Sequence, residues 1–131
     1  MILKRLVCIC GLLALSFAAI AQGVTVQTVT DANFDSLVLK SSVPVVVHFY
    51  AETCDPCMKM TAPVLDRLAP TMTGRMKIMK LNVAENPKAA HQYGSMSLPT
   101  LVIFKSGEMQ SRQLGVPAED RLERWMNANA Q

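Results

Sequence analysis

Apolar and polar side chains alternate over Val24-Thr25-Val26-Gln27-Thr28-Val29, the two-residue period of a strand. The period then lengthens. Phe34, Leu37 and Val38 fall at i, i+3 and i+4, which predicts a short helix from a Thr30 or Asp31 cap to about Lys40, broken by Ser41-Ser42. Val43 to Tyr50 is almost continuously apolar and β-branched, as a central strand covered on both faces should be. A second helical stretch runs from Cys54 to about Ala69. Its buried stripe is Met60, Val64, Leu65 and Leu68, with Lys59, Asp66 and Arg67 mostly outside it. Pro63 removes one backbone donor from that helix and predicts a kink.

Pro70 and Gly74 mark the loop that follows, and Lys77 to Val83 reads as a third strand. Asn86-Pro87 has the form of a helix start, Asn as cap and Pro in the first turn, and Gly94 that of its stop. Thr100 to Lys105 is a strand, turned by Ser106-Gly107 into a shorter, more polar edge strand from Glu108 to Leu114. A last helix begins after Pro117 with Glu119 and Asp120 in its first turn and Leu122, Trp125 and Met126 as its buried face. The series β-α-β-α-β-α-β-β-α predicts an α/β fold: a mixed sheet of about five strands flanked by about four helices.

The first residues follow a different rule. Lys4 and Arg5 precede an apolar run from Leu6 to Ile20, and Ala19-Ile20-Ala21 supplies a small-x-small cleavage pattern. This predicts a signal peptide over 1–21, a mature domain over 22–131, and a periplasmic or secreted location. A retained anchor is the rival, but the run is shorter than the roughly 20 residues a spanning helix needs. Processing removes two of the 13 Lys+Arg and none of the 10 Asp+Glu, which lowers the net charge from +3 to +1. No basic cluster remains, so nucleic acid is not an expected partner. Of the four cysteines, Cys8 and Cys10 leave with the signal. The remaining pair, Cys54 and Cys57, closes too small a ring to staple an exported domain, so chemistry is the better reason for it.

Cys54-Asp55-Pro56-Cys57 follows the central strand and opens a helix. Unpaired N–H groups and partial positive charge at a helix start favour a thiolate on the first cysteine, and the arrangement reads as a dithiol redox centre. Zinc would need two more ligands, and the mature chain has only His48 and His91 besides its carboxylates. No metal is expected. The mature chain's methionines show no cluster beyond Met58 and Met60 and more simply fill core gaps. His91, next to Gln92 in a helix, is expected at the surface.

The chain resembles the thioredoxins. The resemblance is carried by Phe49-Tyr50-Ala51-Glu52 before the cysteines and Ala62-Pro63-Val64-Leu65-Asp66 after them. Further on it is carried by Lys80-Leu81-Asn82-Val83, Asn86-Pro87, Tyr93-Gly94, Leu98-Pro99-Thr100-Leu101 and Phe104-Lys105-Ser106-Gly107-Glu108. It implies the thioredoxin fold, with Cys54 as exposed nucleophile and Cys57 as buried resolving thiol. Pro99 would be a cis-proline facing the disulfide, and Thr53, Pro56, Leu98 and Gly115 would contact the substrate. The redox group is then the Cys54–Cys57 pair itself, with no separate cofactor. Thr53 and Asp55 stand where the family has Trp and Gly, Tyr50 stands in place of its second Trp, and His48 occupies the place of a buried Asp.

Asp55 places a like charge beside Cys54 and raises its thiol pKa, toward a more reducing pair. His48, kept neutral by burial and by Lys80, would act as general base toward Cys57; a satisfied core histidine is the competing reading. The expected function is an exported thiol–disulfide oxidoreductase acting as a reductase, with client proteins carrying disulfides or cysteine pairs as partners. A membrane electron donor and a monomeric state complete the expectation. The alternatives are an envelope oxidase or isomerase, and a thioredoxin-fold binding module or chaperone that holds extended segments.

Overall fold

The computed structural model of the chain describes residues 26–93 and 97–130. The expected signal segment 1–21, the start of the first strand pattern at Val24 and Thr25, and the Gly94 helix stop lie outside the described residues. The elements run β1 Gln27–Thr28, a π-helical turn Asp35–Leu39, β2 Val45–Tyr50 and a second π-helical turn Cys57–Thr61. The last continues into α1 Ala62–Leu68 and a 3-10 turn Ala69–Met72. Then come β3 Lys77–Asn82, α2 Pro87–Gln92, β4 Thr100–Lys105, β5 Glu108–Leu114 and α3 Glu119–Asn129.

The five strands make one mixed sheet in the order β1-β3-β2-β4-β5. β3 runs parallel to both β1 and β2, while β2–β4 and β4–β5 are antiparallel. The sheet and the four helical units agree with the architecture expected from periodicity. β2 is flanked on both edges and covered on both faces, which is why its sequence is an unbroken apolar run. Val45, Val47 and Phe49 face a core with Phe34, Val38, Leu81 and Phe104; Val46 faces a second with Leu65, Leu68, Leu101, Leu122 and Met126. On the first face Phe34, Tyr93 and Phe104 interlock, with the Phe104 ring edge-on to both of the others. β5 lies at the sheet edge with mostly exposed side chains, as its polar sequence required. The β4–β5 turn takes Ser106 and Gly107 to φ of 53° and 81°. A Cβ at 107 would also lie 3.3 Å from the Leu39 carbonyl oxygen.

Two expectations are corrected. The first helix is shorter than Thr30–Lys40, and Asp31 does not cap it. The Asp31 carboxylate instead accepts from the backbone N–H groups of Lys88 at 3.1 Å and Ala89 at 2.8 Å, the free donors at the start of α2. Asn86, expected to cap α2 itself, turns its Oδ1 to the Asp31 N–H at 2.8 Å. The sheet brings these two segments together, and a carboxylate satisfies two amides where the local amide side chain satisfies one.

The second correction concerns the helix after the cysteines, which extends past Ala69 to Met72. Met60, placed on the buried stripe by an α-helical period, is 53% exposed, while Thr61 is 2% exposed. Pro63 has no N–H to return to the preceding turn, and there the Ala62 N–H reaches back five residues to the Cys57 carbonyl. The buried face runs through Cys57, Thr61, Leu65 and Leu68, an i, i+4, i+8, i+11 spacing that passes through the threonine and leaves Met60 to one side.

Candidate functional site

At the end of β2 the chain turns through Ala51, whose carbonyl accepts the Cys54 N–H at 3.0 Å. The helical unit starts at once, with the Met58 N–H donating to the Cys54 carbonyl at 3.2 Å. Cys54 and Cys57 are joined by a disulfide. Cys54 is partly exposed, whereas Cys57 is fully buried. The Cys57 N–H donates to the Cys54 sulfur at 3.2 Å. An amide of the first helical turn aimed at a sulfur stabilises negative charge on it, so of the two thiols Cys54 is the one favoured as an accessible thiolate.

His48 lies beneath this turn on β2, opposite Lys80 on β3 and Leu101 on β4. Strand alternation puts its side chain on the Val46 face, which the Cys57–Met72 helical unit covers. It is 2% exposed, its ring centroid is 5.6 Å from that of Tyr50, and its Nε2 has no hydrogen-bond partner among the described residues. Burial first, and then the charge of Lys80, push the imidazole pKa down from 6.5 to about 4. His48 is therefore neutral at pH 7. A cavity of about 180 Å³ lies against it, lined also by Tyr50, Glu52, Met58, Ala62 and Lys80. Burial, followed by the charges of Glu52 and Glu85, raises the Tyr50 phenol above its ordinary value.

Thr53, Asp55 and Pro56 are all exposed at the rim. The Asp55 carboxylate meets Lys59 at 3.4 Å with both side chains largely in solvent, so water and a counter-charge screen its effect on the neighbouring sulfur. The Leu98–Pro99 peptide bond is cis. The Pro99 carbonyl accepts the Gly115 N–H at 2.9 Å, with Gly115 in the left-handed region at φ 75°. Leu98 is half-buried against the Phe34 core, and the Thr100 hydroxyl donates to the Ser97 carbonyl. Phe49 pairs with Thr100, which pairs with Leu114. The register thus sets Pro99 and Gly115 at the same end of the sheet as the Ala51–Cys54 turn. Leu114 and Val116, on either side of Gly115, are exposed.

The expected site residues therefore gather at one end of β2. His91 is exposed. A larger groove of about 540 Å³, lined by Asp31, Phe34, Asp35, Lys88, Tyr93 and neighbours, lies along the start of α2 instead. One group escaped sequence reasoning. Thr61 is buried four residues after Cys57, and its Oγ1 has no hydrogen-bond partner among the described residues. The i, i+4 spacing from the buried cysteine was its only signal, and the apolar-stripe pattern passed it over because threonine is polar.

Comparison with known proteins adds to the geometry. The family model described as Thioredoxin matches residues 25–128. A thioredoxin of Rickettsia prowazekii is 40% identical over 102 residues, covering 78% of this chain and 96% of that protein. Those of Haemophilus influenzae and Pseudomonas aeruginosa are each 41% identical, over 99 and 104 residues. They cover 76% and 79% of this chain, and 92% and 95% of their own lengths.

Proposed function

The chain belongs to the thioredoxin family and is a protein thiol–disulfide oxidoreductase; from that premise we propose that it works outside the cytoplasm as a reductase of client-protein disulfides. The observation that carries the mechanism is the asymmetry of the pair, Cys54 reachable and held by a helix amide, Cys57 sealed beneath it. The Cys54 thiolate attacks a client disulfide, forming a mixed disulfide and releasing one client sulfur as a thiolate. Neutral His48 takes the proton of Cys57. The Cys57 thiolate then attacks the Cys54 sulfur, the Cys54–Cys57 bond forms, and the second client sulfur leaves. The client gains two electrons and the protein ends oxidised. Pro99, Leu98, Gly115, Thr53 and Pro56 border the client segment, and Asp55, screened by Lys59, adjusts the Cys54 thiol by a small amount.

Export is supported by the leader pattern of residues 1–21, which precedes the stretch matched by the family. A reductase outside the cytoplasm must be recharged, so a membrane-borne dithiol donor is the second partner. The chain acts as a monomer, and the dithiol is its redox group. The reducing direction is supported by Asp55 and by the absence of a histidine between the cysteines.

Insulin-disulfide reduction should be seen with the wild type and lost in Cys54→Ser. Cys57→Ser should trap clients as mixed disulfides. Equilibration with glutathione should place the pair nearer −270 mV than −120 mV; a value near −120 mV would make it an oxidant. The exposed Leu114 and Val116 beside Gly115 favour one other reading, a holdase for extended segments. Full cellular function in Cys54→Ser would select it.

A further inference from the structure

Among the described residues, two buried polar atoms lack a partner between β2 and the helical unit that covers it, His48 Nε2 and Thr61 Oγ1. An orphaned buried hydroxyl costs stability, and a threonine in a helix ordinarily removes that cost by donating to the carbonyl one turn back. Here that carbonyl is the one on Cys57, which accepts the Ala62 N–H across the wide turn and receives nothing from the Thr61 hydroxyl. The Thr61 hydroxyl is left uncommitted on the buried stripe that runs Cys57, Thr61, Leu65, Leu68.

Residues four apart on one helical face have Cβ atoms about 5–6 Å apart. In the disulfide state the Cys57 sulfur is bonded to Cys54 and carries no charge. Opening the disulfide turns it into a thiol or thiolate, an acceptor buried away from water. We propose that Thr61 is the donor kept for that state: its hydroxyl hydrogen-bonds the Cys57 sulfur of the reduced protein and stabilises the thiolate that resolves mixed disulfides.

The proposal rests on the resolving role of Cys57 and completes the proton step. His48 takes the proton from the Cys57 thiol and becomes imidazolium; Thr61 donates to the anion left behind. The Cys57 thiolate then attacks the Cys54 sulfur, the client leaves as a thiolate that recovers a proton from solvent, and His48 releases its proton to solvent and returns to the neutral form. The other titratable groups near this layer are Tyr50 on β2, Lys80 on β3, Glu52 in the turn, and Asp55 and Lys59 on the helix itself. None of them is a neutral donor four residues from Cys57 on its buried face. A hydrogen bond to a charged acceptor is stronger than one between neutral groups, so its loss should be readable.

The test compares Thr61→Val, which keeps the branched shape and loses the donor, with Thr61→Ser, which keeps the donor. In a Cys54→Ser background, the Cβ chemical shift of Cys57 followed against pH gives its titration directly. Thr61→Val should move that titration upward by about one pH unit, and Thr61→Ser should restore it. In the intact dithiol, at a pH above the Cys57 titration where the thiolate is the reduced form, Thr61→Val should shift the glutathione equilibrium about tenfold toward the disulfide, ~30 mV for a two-electron couple. Oxidised Thr61→Val should be at least as stable to urea as the wild type, since an orphaned hydroxyl has been removed. A merely structural threonine would not combine undiminished oxidised-state stability with an altered thiol.

An unchanged Cys57 titration and redox equilibrium in Thr61→Val would overturn the proposal. If His48→Ala still slows resolution in that case, the Thr61 assignment alone has failed. If His48→Ala leaves resolution at the wild-type rate across pH 6–9 as well, the general-base reading has failed with it.

Discussion

His48 is neutral because of where it sits, and that leaves a signature in stability. In the unfolded chain its imidazole titrates near 6.5; in the fold, burial and Lys80 hold it down to about 4. Between those values the unfolded state binds a proton that the folded state refuses. The stability tied to neutral His48 is therefore complete above pH 6.5, is lost progressively as pH falls toward 4, and levels off below that. At pH 4.5 the loss amounts to about 2.5 kcal/mol at 1.36 kcal/mol per pKa unit. Urea unfolding at pH 7.5 and 4.5 should show this loss in the wild type beyond any shared with His48→Leu, which cannot titrate there. Equal pH slopes for the two proteins would place the histidine pKa near its ordinary value and overturn its depression by burial and Lys80. The identity of this residue was plain in the sequence, and so was the direction of its shift. Its unpartnered Nε2 was not, because hydrogen-bond satisfaction depends on three strands and a helix meeting around it.

At the scale of elements, α2 is a six-residue helix too short to hold by itself, and its start is secured from 55 residues away. Asp31 accepts two of its free N–H groups, and its carboxylate charge lies at the positive end of the helix. Asp31→Ala should cost about 1–2 kcal/mol, in the range of lost helix caps, and should speed hydrogen exchange at the Lys88 and Ala89 amides. Asp31→Asn should recover part of the loss. Unchanged exchange at both amides in Asp31→Ala would mean that α2 does not depend on this cap.

The same helix marks how far local reading reaches. Asn86-Pro87 located its start, because a proline in the first turn is a local matter. The true cap was hidden, because it depends on which distant segment the sheet brings near. Met60 and Thr61 were misread for a different reason. The stripe was drawn through apolar side chains alone, whereas the buried face runs Cys57, Thr61, Leu65 and Leu68 at ordinary helical spacing and leaves Met60 outside it. The inner and edge strands carried less ambiguity: unbroken apolarity in β2 and β4 and polarity in the edge strand β5 each followed from burial, whereas β1 is only Gln27–Thr28, both exposed, where alternation had predicted a strand to Val29.

At the scale of the molecule, the described residues form two cores separated by one sheet, and β2 contributes alternate residues to both. Neither face can lose its packing without exposing the strand that supports the other, so the domain should unfold in one step. The sequence provides independent reporters of the two faces. In the 22–131 protein the phenylalanines are Phe34, Phe49 and Phe104, all in the first core. The single tryptophan, Trp125, packs on the second, with its Nε1–H donated to the Ser111 hydroxyl at 2.8 Å. The exposed ion pairs Asp55–Lys59, Arg67–Glu119 and Asp120–Arg124 add little to hold the faces together, so the coupling must come through the sheet. Urea unfolding of 22–131, followed by Trp125 fluorescence and by the resonances of fluorine-labelled phenylalanine, should give superimposable curves with one midpoint. A phenylalanine transition displaced from the tryptophan transition would mean that the faces melt separately. The redox turn, anchored at the end of β2, would then rest on a sheet able to lose one side while keeping the other.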